Sequence, residues 1–418
     1  MDQETIKTLF KDKIFKILAL LLLIRVGLYI PVPGVDLDIF EKGQAINPFF
    51  GFAKTLVGNS FLGIGTLGIL PYINASIIIQ LVTPLFPSLE KLQKEDGALG
   101  RQQLQRYTRY LTFIWALGLS TGIAVFLIKP VCFDWSILLG LKIIISLTVG
   151  SILSMWFAEL ITEKGLGNGS SMIIFVNIVG GIPNNLSTVR DKILDHNLFD
   201  TFLLLFKDGA FYFFIVLTII FFQDSYKKIQ LISARQLSTD INESTKSLNS
   251  FIPLKLNQGG IMPLVFSSTV STALIIPAQL VLNSISSINN SLGAQIITFY
   301  SFALNTFLIV FFSCFYVSLV LKPKDMADNL SKMAYGIPNI RPGRATIKYL
   351  EKISNRLAFV SGIFLAMLTF FPIIMGNFFQ FTLFKNLTSL LILIGVITDT
   401  TSQIQGYLIS SRYGIKKT

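Results

Sequence analysis

Two apolar stretches decide the fold of this 418-residue chain: Gly68-Ile69-Leu70-Pro71-Tyr72-Ile73-Asn74-Ala75-Ser76 and Gly260-Ile261-Met262-Pro263-Leu264-Val265-Phe266-Ser267-Ser268. The two copies align without a gap at Gly, Ile, Pro and Ser. Proline is tolerated in the first turn of a helix, where its missing N–H would have no partner. The pattern therefore predicts, in each copy, a helix that begins at the proline after a non-helical lead-in.

The surrounding composition indicates a membrane protein. Hydrophobic residues make up 52% of the chain and charged residues 14%, against roughly 25% charged in soluble domains. A membrane span needs about 20 apolar residues. We predict an all-α, polytopic fold with ten transmembrane helices, at Ile14–Ile30, Gly63–Phe86, Tyr107–Ile128, Trp135–Ile161, Ser170–Ile182, Phe199–Phe222, Gly259–Leu282, Ile296–Leu321, Leu357–Met375 and Leu387–Ser410.

The positive charges give the predicted topology. Most of the 35 lysine and arginine residues fall in alternate connecting segments, and such segments stay on the cytoplasmic side. Ten spans with both termini on that side satisfy this segregation. The repeat then divides the chain into halves of five spans, 1–198 and 199–418, that enter the membrane from opposite sides. Inverted halves of this kind place broken helices around a central site.

Few residues offer catalytic or metal-binding chemistry. Cys132 and Cys314 lie apart in apolar surroundings, so we expect neither a disulfide nor a metal site. His196 is the only histidine and lies in a polar connection far from Gly169-Ser170, which argues against an intramembrane serine protease. We expect no cofactor, no metal and no enzymatic activity, so energy for any transport has to come from a partner.

A channel and a secondary transporter are both compatible with an inverted repeat. Transporters of small solutes keep ionisable groups at membrane depth for function. Only four such groups stand clearly within predicted spans, and we expect all but Asp399 to reach an interface by extending their side chains: Arg25, Lys142, Glu159 and Asp399. A transporter would depend on Asp399, whereas a channel would not.

Several motifs, in order and spacing along nearly the whole chain, resemble the SecY family, the pore subunit of the general secretory translocase. The segments that carry the resemblance are Tyr29–Val35, Leu67–Ile77, Gln105–Leu111, Ile161–Gly169, Pro253–Asn257, Ala327–Leu330 and Ile340–Gly343. The last span and tail, from Thr388 through Asp399 to Tyr413, are similar to the cyanobacterial and plastid branch.

The resemblance implies two halves around a central hourglass pore, a lateral gate beside spans two and seven, and unfolded preproteins as the substrate. It also implies a ring of side chains at the constriction, one of which, Ser170, replaces the usual aliphatic residue: Ile73, Ile77, Ser170, Ile174, Val265 and Ile397. A plug that blocks the resting channel would be drawn from about residues 49–61, within a glycine-rich stretch.

The resemblance further implies partners. The long inner loops 224–256 and 322–352 would bind the SecA motor ATPase or a ribosome through basic residues: Lys227, Lys228, Arg235, Arg341 and Lys348. SecE-like and SecG-like small membrane subunits would accompany the chain in the lipid bilayer. The tail and an abundance of Lys, Asn, Ile and Phe favour the thylakoid membrane of a plastid over a bacterial plasma membrane, with both termini on the stromal or cytoplasmic side.

Overall fold

The computed structural model describes residues 3–33, 63–94, 97–129, 135–165, 167–195, 198–233, 250–268, 270–271, 290–375 and 387–412. Twelve helices fall in these ranges: α1 Gln3–Tyr29, α2 Leu70–Val82, α3 Pro87–Lys94, α4 Gly97–Gly122, α5 Ile137–Lys164, α6 Gly169–Asp195, α7 Leu198–Asp224, α8 262–268, α9 Asn290–Leu321, α10 Pro323–Lys332, α11 Arg344–Met375 and α12 Leu387–Arg412. The described strands are β1 Tyr226–Gln230, β2 Ile232–Ser233, β3 Phe251–Lys255 and β4 Tyr335–Gly336.

Helices cover most of the described residues of the predicted spans, and span seven, Gly259–Leu282, is described only as far as residue 271. Within the described residues, four helical stretches are long and apolar enough to cross a membrane: Ile137–Lys164, Phe206–Asp224, Tyr300–Lys332 and Arg344–Phe371. Two more, Leu70–Leu85 and Gly169–Ile182, are apolar but shorter. The all-α, polytopic class is confirmed, and the count of ten spans stays a prediction. The expected plug, residues 49–61, lies outside the described residues.

The chain forms two compact units. The first contains α1 to α6 and the end of α12 from Val396, and the second contains α7 to α11 and the beginning of α12 up to Gly395. The first unit is held together by close backbone approaches. A Cβ at Gly63 would collide with the carbonyl of Leu28, and one at Gly150 with the carbonyl of Ile64. Only glycine allows these approaches.

The lead-in to α2 is anchored on α1. The amide of Ile64 donates to the carbonyl of Ile30 at 2.9 Å, and the amide of Gly65 donates to that of Gly27 at 3.2 Å. Carbonyls in the last turn of a helix have no partner within it. The lead-in therefore supplies donors to the end of α1 and fixes the point from which α2 begins.

The two copies of the repeat adopt the same backbone. Gly68 and Gly260 both have positive φ, +49° and +60°. The helices begin two residues later, at Leu70 and at residue 262, with a proline as the second helical residue. The prediction that these prolines open helices after a non-helical lead-in is confirmed.

The two long loops of the second unit, 224–256 and 322–352, pack together through their described residues. Strands β1 and β3 form an antiparallel hairpin in the first loop, and β2 pairs with β4 of the second loop. The strands and helices α10 and α11 bury one apolar cluster: Ile229, Leu254, Ala327, Leu330, Ile337, Leu350 and Ile353. The two loops thus form one folded surface rather than two separate ones.

Candidate functional site

Helix α2 presents two of the expected ring residues. Ile73 and Ile77 are one turn apart, so they share a face of the helix, and they are only 3% and 2% exposed. The amide of Ile73 donates to the carbonyl of Ile69 at 3.0 Å, in the first turn of the helix. The positive φ of Gly68 and the ring of Pro71 therefore set where Ile73 lies.

Helix α6 presents the next two, and its N-terminus explains the unusual one. Asn168 caps the helix, because its Oδ1 accepts from the amide of Ser170 at 3.1 Å and from its hydroxyl at 2.8 Å. Ser170 and Ile174 are each 6% exposed. Because the hydroxyl of Ser170 donates to Asn168 Oδ1, only the Cβ of this side chain is left to contact its neighbours.

The turn between α5 and α6 is unusually tight. The amide of Gly169 donates to the hydroxyl of Thr162 at 2.9 Å. A Cβ on Gly169 would collide with the carbonyl of Ala158. The turn also lies against α12, because a Cβ on Gly167 would come within 3.5 Å of the Thr400 side chain.

The remaining expected ring residues differ in exposure. Val265 is 3% exposed on α8, and its amide donates to the carbonyl of Ile261 at 3.3 Å, which is the equivalent of the bond made by Ile73. Ile397 on α12 is 42% exposed. The ring stays a prediction.

An ion pair that the sequence did not predict joins α4 to α5. Arg109 binds Glu159 with two nitrogens, Nε to Oε1 at 3.1 Å and Nη2 to Oε2 at 2.8 Å. Glu159 is only 4% exposed, so the expectation that it extends to an interface is wrong. Tyr72 of α2 lies within electrostatic range of both charges. The pair therefore holds the two helices that flank the first copy of the repeat.

The other ionisable groups expected within spans fall into different environments. Arg25 on α1 donates from Nη2 to the carbonyl of Gly180 on α6 at 2.9 Å. Lys142 and Asp399 are exposed. The described residues contain no cluster of three or more potential metal ligands.

Four of the five expected docking residues lie on the folded inner surface of the second unit. Lys227 and Lys228 are exposed on β1, Arg341 is exposed in the turn before α11, and Lys348 is exposed on α11. Arg235 lies outside the described residues. The residues that place Arg341 are local: Asn339 and Gly343 have positive φ, and the hydroxyl of Thr346 donates to the carbonyl of Arg341 at 3.1 Å.

Lys228 is held between two aromatic rings. Its Nζ lies 5.6 Å from the ring centroid of Tyr226 and 5.2 Å from that of Phe251. These distances allow cation–π attraction to both rings. Beside Lys228 a groove of about 450 Å³ runs between β1 and the segment after β4, and its lining includes Lys227, Gln230, Phe251, Ile337, Pro338 and Tyr349.

Comparison with known proteins places the chain in a family. A model of the SecY family matches residues 63–401. Protein translocase subunit SecY of Emiliania huxleyi is 67% identical over 422 residues, which cover 100% of both chains. The chain belongs to the SecY family. The subunit of Guillardia theta is 42% identical over 96% of each chain, and that of Synechocystis is 40% identical over 95% of this chain and 91% of its own.

Solved structures of the family share the fold. A structure described as that of a protein conducting channel matches with a TM-score of 0.68 at 17% identity, covering 98% of this chain and 95% of its own. Canine Sec61 in a ribosome-channel complex matches with a TM-score of 0.65 at 15% identity over the same shares. The reported relatives are translocase subunits or channels, which favours the channel over the small-solute transporter that Asp399 would serve.

Proposed function

We propose that this chain is the protein-conducting subunit of a translocase. It passes unfolded preproteins across a membrane and releases apolar segments sideways into the bilayer. The observation that carries the proposal is the match over the whole chain to protein translocase subunits. The halves 1–198 and 199–418 each contribute one copy of the repeated helix start, and both copies would border the same gate.

The constriction is a ring of Ile73, Ile77, Ser170, Ile174, Val265 and Ile397. Apolar side chains around a narrow opening seal it against ions because water leaves such a constriction. The burial of Ile73, Ile77 and Val265 supports this role, as do the equivalent places of Ile73 and Val265 after the two prolines. Ser170 contributes a smaller side chain to the ring, with its hydroxyl turned toward Asn168.

The plug comprises residues 49–61. Its chain continues directly into the lead-in to α2, where the amides of Ile64 and Gly65 are fixed on α1. That anchor would tether the plug at one end. The physical support is the contrast between the anchored lead-in and the glycine content of the preceding stretch, which includes Gly51 and Gly58.

The partners are those of a passive channel. SecA or a ribosome would supply the energy and dock on Lys227, Lys228, Arg235, Arg341 and Lys348, with SecE-like and SecG-like subunits in the bilayer. The canine relative was solved in a ribosome-channel complex, which supports docking of a ribosome. The relatives from algae and cyanobacteria support the thylakoid membrane, with both termini in the stroma.

Ion conductance of the reconstituted chain tests the ring. Replacing Ile77 with Asn puts an amide at the constriction, so we expect a larger ion leak through proteoliposomes. Ile78→Asn is the matched control, because Ile78 neighbours Ile77 but points from a different face of α2. Equal leak from the two variants would remove Ile77 from the ring.

Preprotein export tests the docking residues. Arg341→Glu should reduce SecA-driven export into proteoliposomes while the amount of inserted channel stays normal. Lys352→Glu is the control, since Lys352 is also exposed on the inner surface but is outside the proposed set. Normal export by the Arg341 variant would contradict its role in docking.

A further inference from the structure

Among the described residues, no strand pairs with the outer edge of β1. In the antiparallel hairpin the amide of Leu231 donates to Ser250 and that of Leu256 donates to Ser225, so the odd-numbered residues of β1 bond toward β3. Successive residues of a strand direct their backbone groups to opposite edges. The backbone groups of Tyr226, Lys228 and Gln230 therefore point away from β3.

A further strand, β4, pairs along the continuation of that edge for only two residues. β4 pairs with β2 through Ile232 with Gly336 and Ser233 with Tyr335. Continued in the same register, the ladder would place residue 338 opposite Gln230. Residue 338 is a proline, which has no N–H to donate. Ile337 instead turns into the apolar cluster, and the groove opens between Gln230 and Pro338.

We propose that this groove binds an extended, acidic segment of a protein partner, which adds to the open edge of β1 as a strand. The inference rests on the proposed docking function and names the chemistry of one docking site. An added strand gains main-chain hydrogen bonds from the edge, and pockets beside the edge select its side chains. Here the edge supplies the backbone groups of Lys228 and Gln230.

The charge of the groove favours an acidic occupant. Among the described residues that line it, both charged ones are lysines, Lys227 and Lys228. Two copies of this chain that paired through β1 would bring these lysines together, and lysine on an edge strand opposes such self-association. Carboxylates on an incoming strand would instead neutralise them.

The apolar lining favours a peptide over RNA. Ile229 and Ile337 form buried aliphatic parts of the lining, 4% and 7% exposed, which suit aliphatic side chains. The rings of Tyr226 and Phe251 that a base would stack on are both approached by the Lys228 ammonium group. An extended peptide with acidic residues alternating with aliphatic ones matches both parts of the groove.

The test is peptide binding to the full chain in nanodiscs. The probe is a fluorescent peptide of four Glu-Val repeats, with a Lys-Val peptide of equal length as the control. Gln230→Pro removes one N–H from the outer edge of β1. It leaves the hydrogen bonds between β1 and β3 in place, because Gln230 lies opposite Phe251 in a pair that is not hydrogen-bonded. Gln230→Val keeps the N–H and is the matched variant.

We expect Gln230→Pro to weaken binding of the Glu-Val peptide about ten-fold, the effect of losing one good hydrogen bond. Gln230→Val keeps this N–H, so we expect it to bind the Glu-Val peptide as tightly as the unaltered chain does. Isotope-edited infrared spectra of the bound peptide should show the amide band of a paired strand. Thermal unfolding of both variants reports whether the hairpin itself is intact.

Three results would overturn the proposal. Equal binding by the proline and valine variants, with loss of binding only on charge reversal at the lysines, would mean charge attraction without strand addition. Tighter binding of a single-stranded RNA octamer than of the Glu-Val peptide would assign the groove to RNA. Equal binding of the Lys-Val peptide would remove the acidic preference. Each of these leaves the channel and its docking residues standing, because the docking proposal is tested separately by export through the Arg341→Glu variant.

Discussion

The two copies of the repeated helix start share a backbone and differ in what surrounds it. At the start of α2 and of α8, a glycine with positive φ precedes a helix whose second residue is proline. Beyond that turn, Tyr72 of the first copy lies near the ion pair between Arg109 and the buried Glu159. Phe266 of the second copy stacks on Phe312 of α9, with ring centroids 5.1 Å apart.

The comparison shows that the helix start depends on the local sequence and that its neighbours do not. Glycine and proline act on the chain that contains them, so the same helix start forms in both units. The neighbouring side chains depend on the helices packed nearby, and these differ: α4 and α5 in one unit, α9 in the other. We therefore expect substitutions in the two turns to change the stability by similar amounts. Substitutions among the neighbouring side chains of the two copies should change it by different amounts.

The largest effect should come from the ion pair beside the first copy. Arg109→Leu leaves the carboxylate of Glu159, which is 4% exposed, without its partner, and leaving a buried charge unpaired costs about 3 kcal/mol. The double variant with Glu159→Leu should recover part of that loss, because no uncompensated charge is left. Unfolding in mixed micelles measures both. A double variant that is as unstable as the sum of the single ones would contradict the pairing.

The aromatic contact beside the second copy should come next. Phe266 is 8% exposed, and truncation of a buried Phe to Ala costs about 3 kcal/mol. Phe266→Leu keeps most of the volume and should cost less. The same unfolding assay applies, with Phe311→Ala as the control because Phe311 is 50% exposed. Equal losses at Phe266 and Phe311 would show that the stack is unimportant.

The two glycines should give smaller and nearly equal effects. Alanine in the left-handed region costs about 1–2 kcal/mol, and neither site is crowded: a Cβ at Gly68 would be 3.6 Å from the Gly65 carbonyl, and one at Gly260 would meet nothing within 4 Å. Backbone strain is then the whole cost. Asparagine, which tolerates this region better, should cost less than alanine in both copies. A large loss at one glycine only would break the equivalence.

The smallest effect should come from the prolines. Pro71→Ala and Pro263→Ala restore an N–H at the second residue of a helix, where no partner within the helix exists. We expect a change within about 1 kcal/mol in either direction, measured by the same unfolding assay. A strongly destabilised variant would show that the ring of the proline packs in an essential way.

The sequence predicted the features that depend on neighbouring residues. The helix starts at Pro71 and Pro263 follow from local chain chemistry, and both are confirmed. The apolar runs likewise placed the helices, because burial in lipid requires a continuous apolar stretch.

Features that join distant segments were not predicted. Arg109 and Glu159 are 50 positions apart, and neither a pattern nor a spacing links them. The pairing of Ile232 and Ser233 with Tyr335 and Gly336 is too short to leave a signal in either loop. It nevertheless turns two expected docking loops into one surface. The one sequence signal for the ion pair was Glu159, an acidic residue within a predicted span.

Crosslinking to a preprotein in transit tests the central claim most directly. A photoreactive benzoylphenylalanine is placed at Ile77 of α2, at Val265 of α8 or at Leu153, which is 45% exposed on α5. A preprotein stalled in reconstituted channels by a folded domain is then irradiated. If the two repeat copies border one pore, the preprotein crosslinks to positions 77 and 265 and not to 153. Crosslinks at 153 alone, or at none of the three positions, would contradict the account.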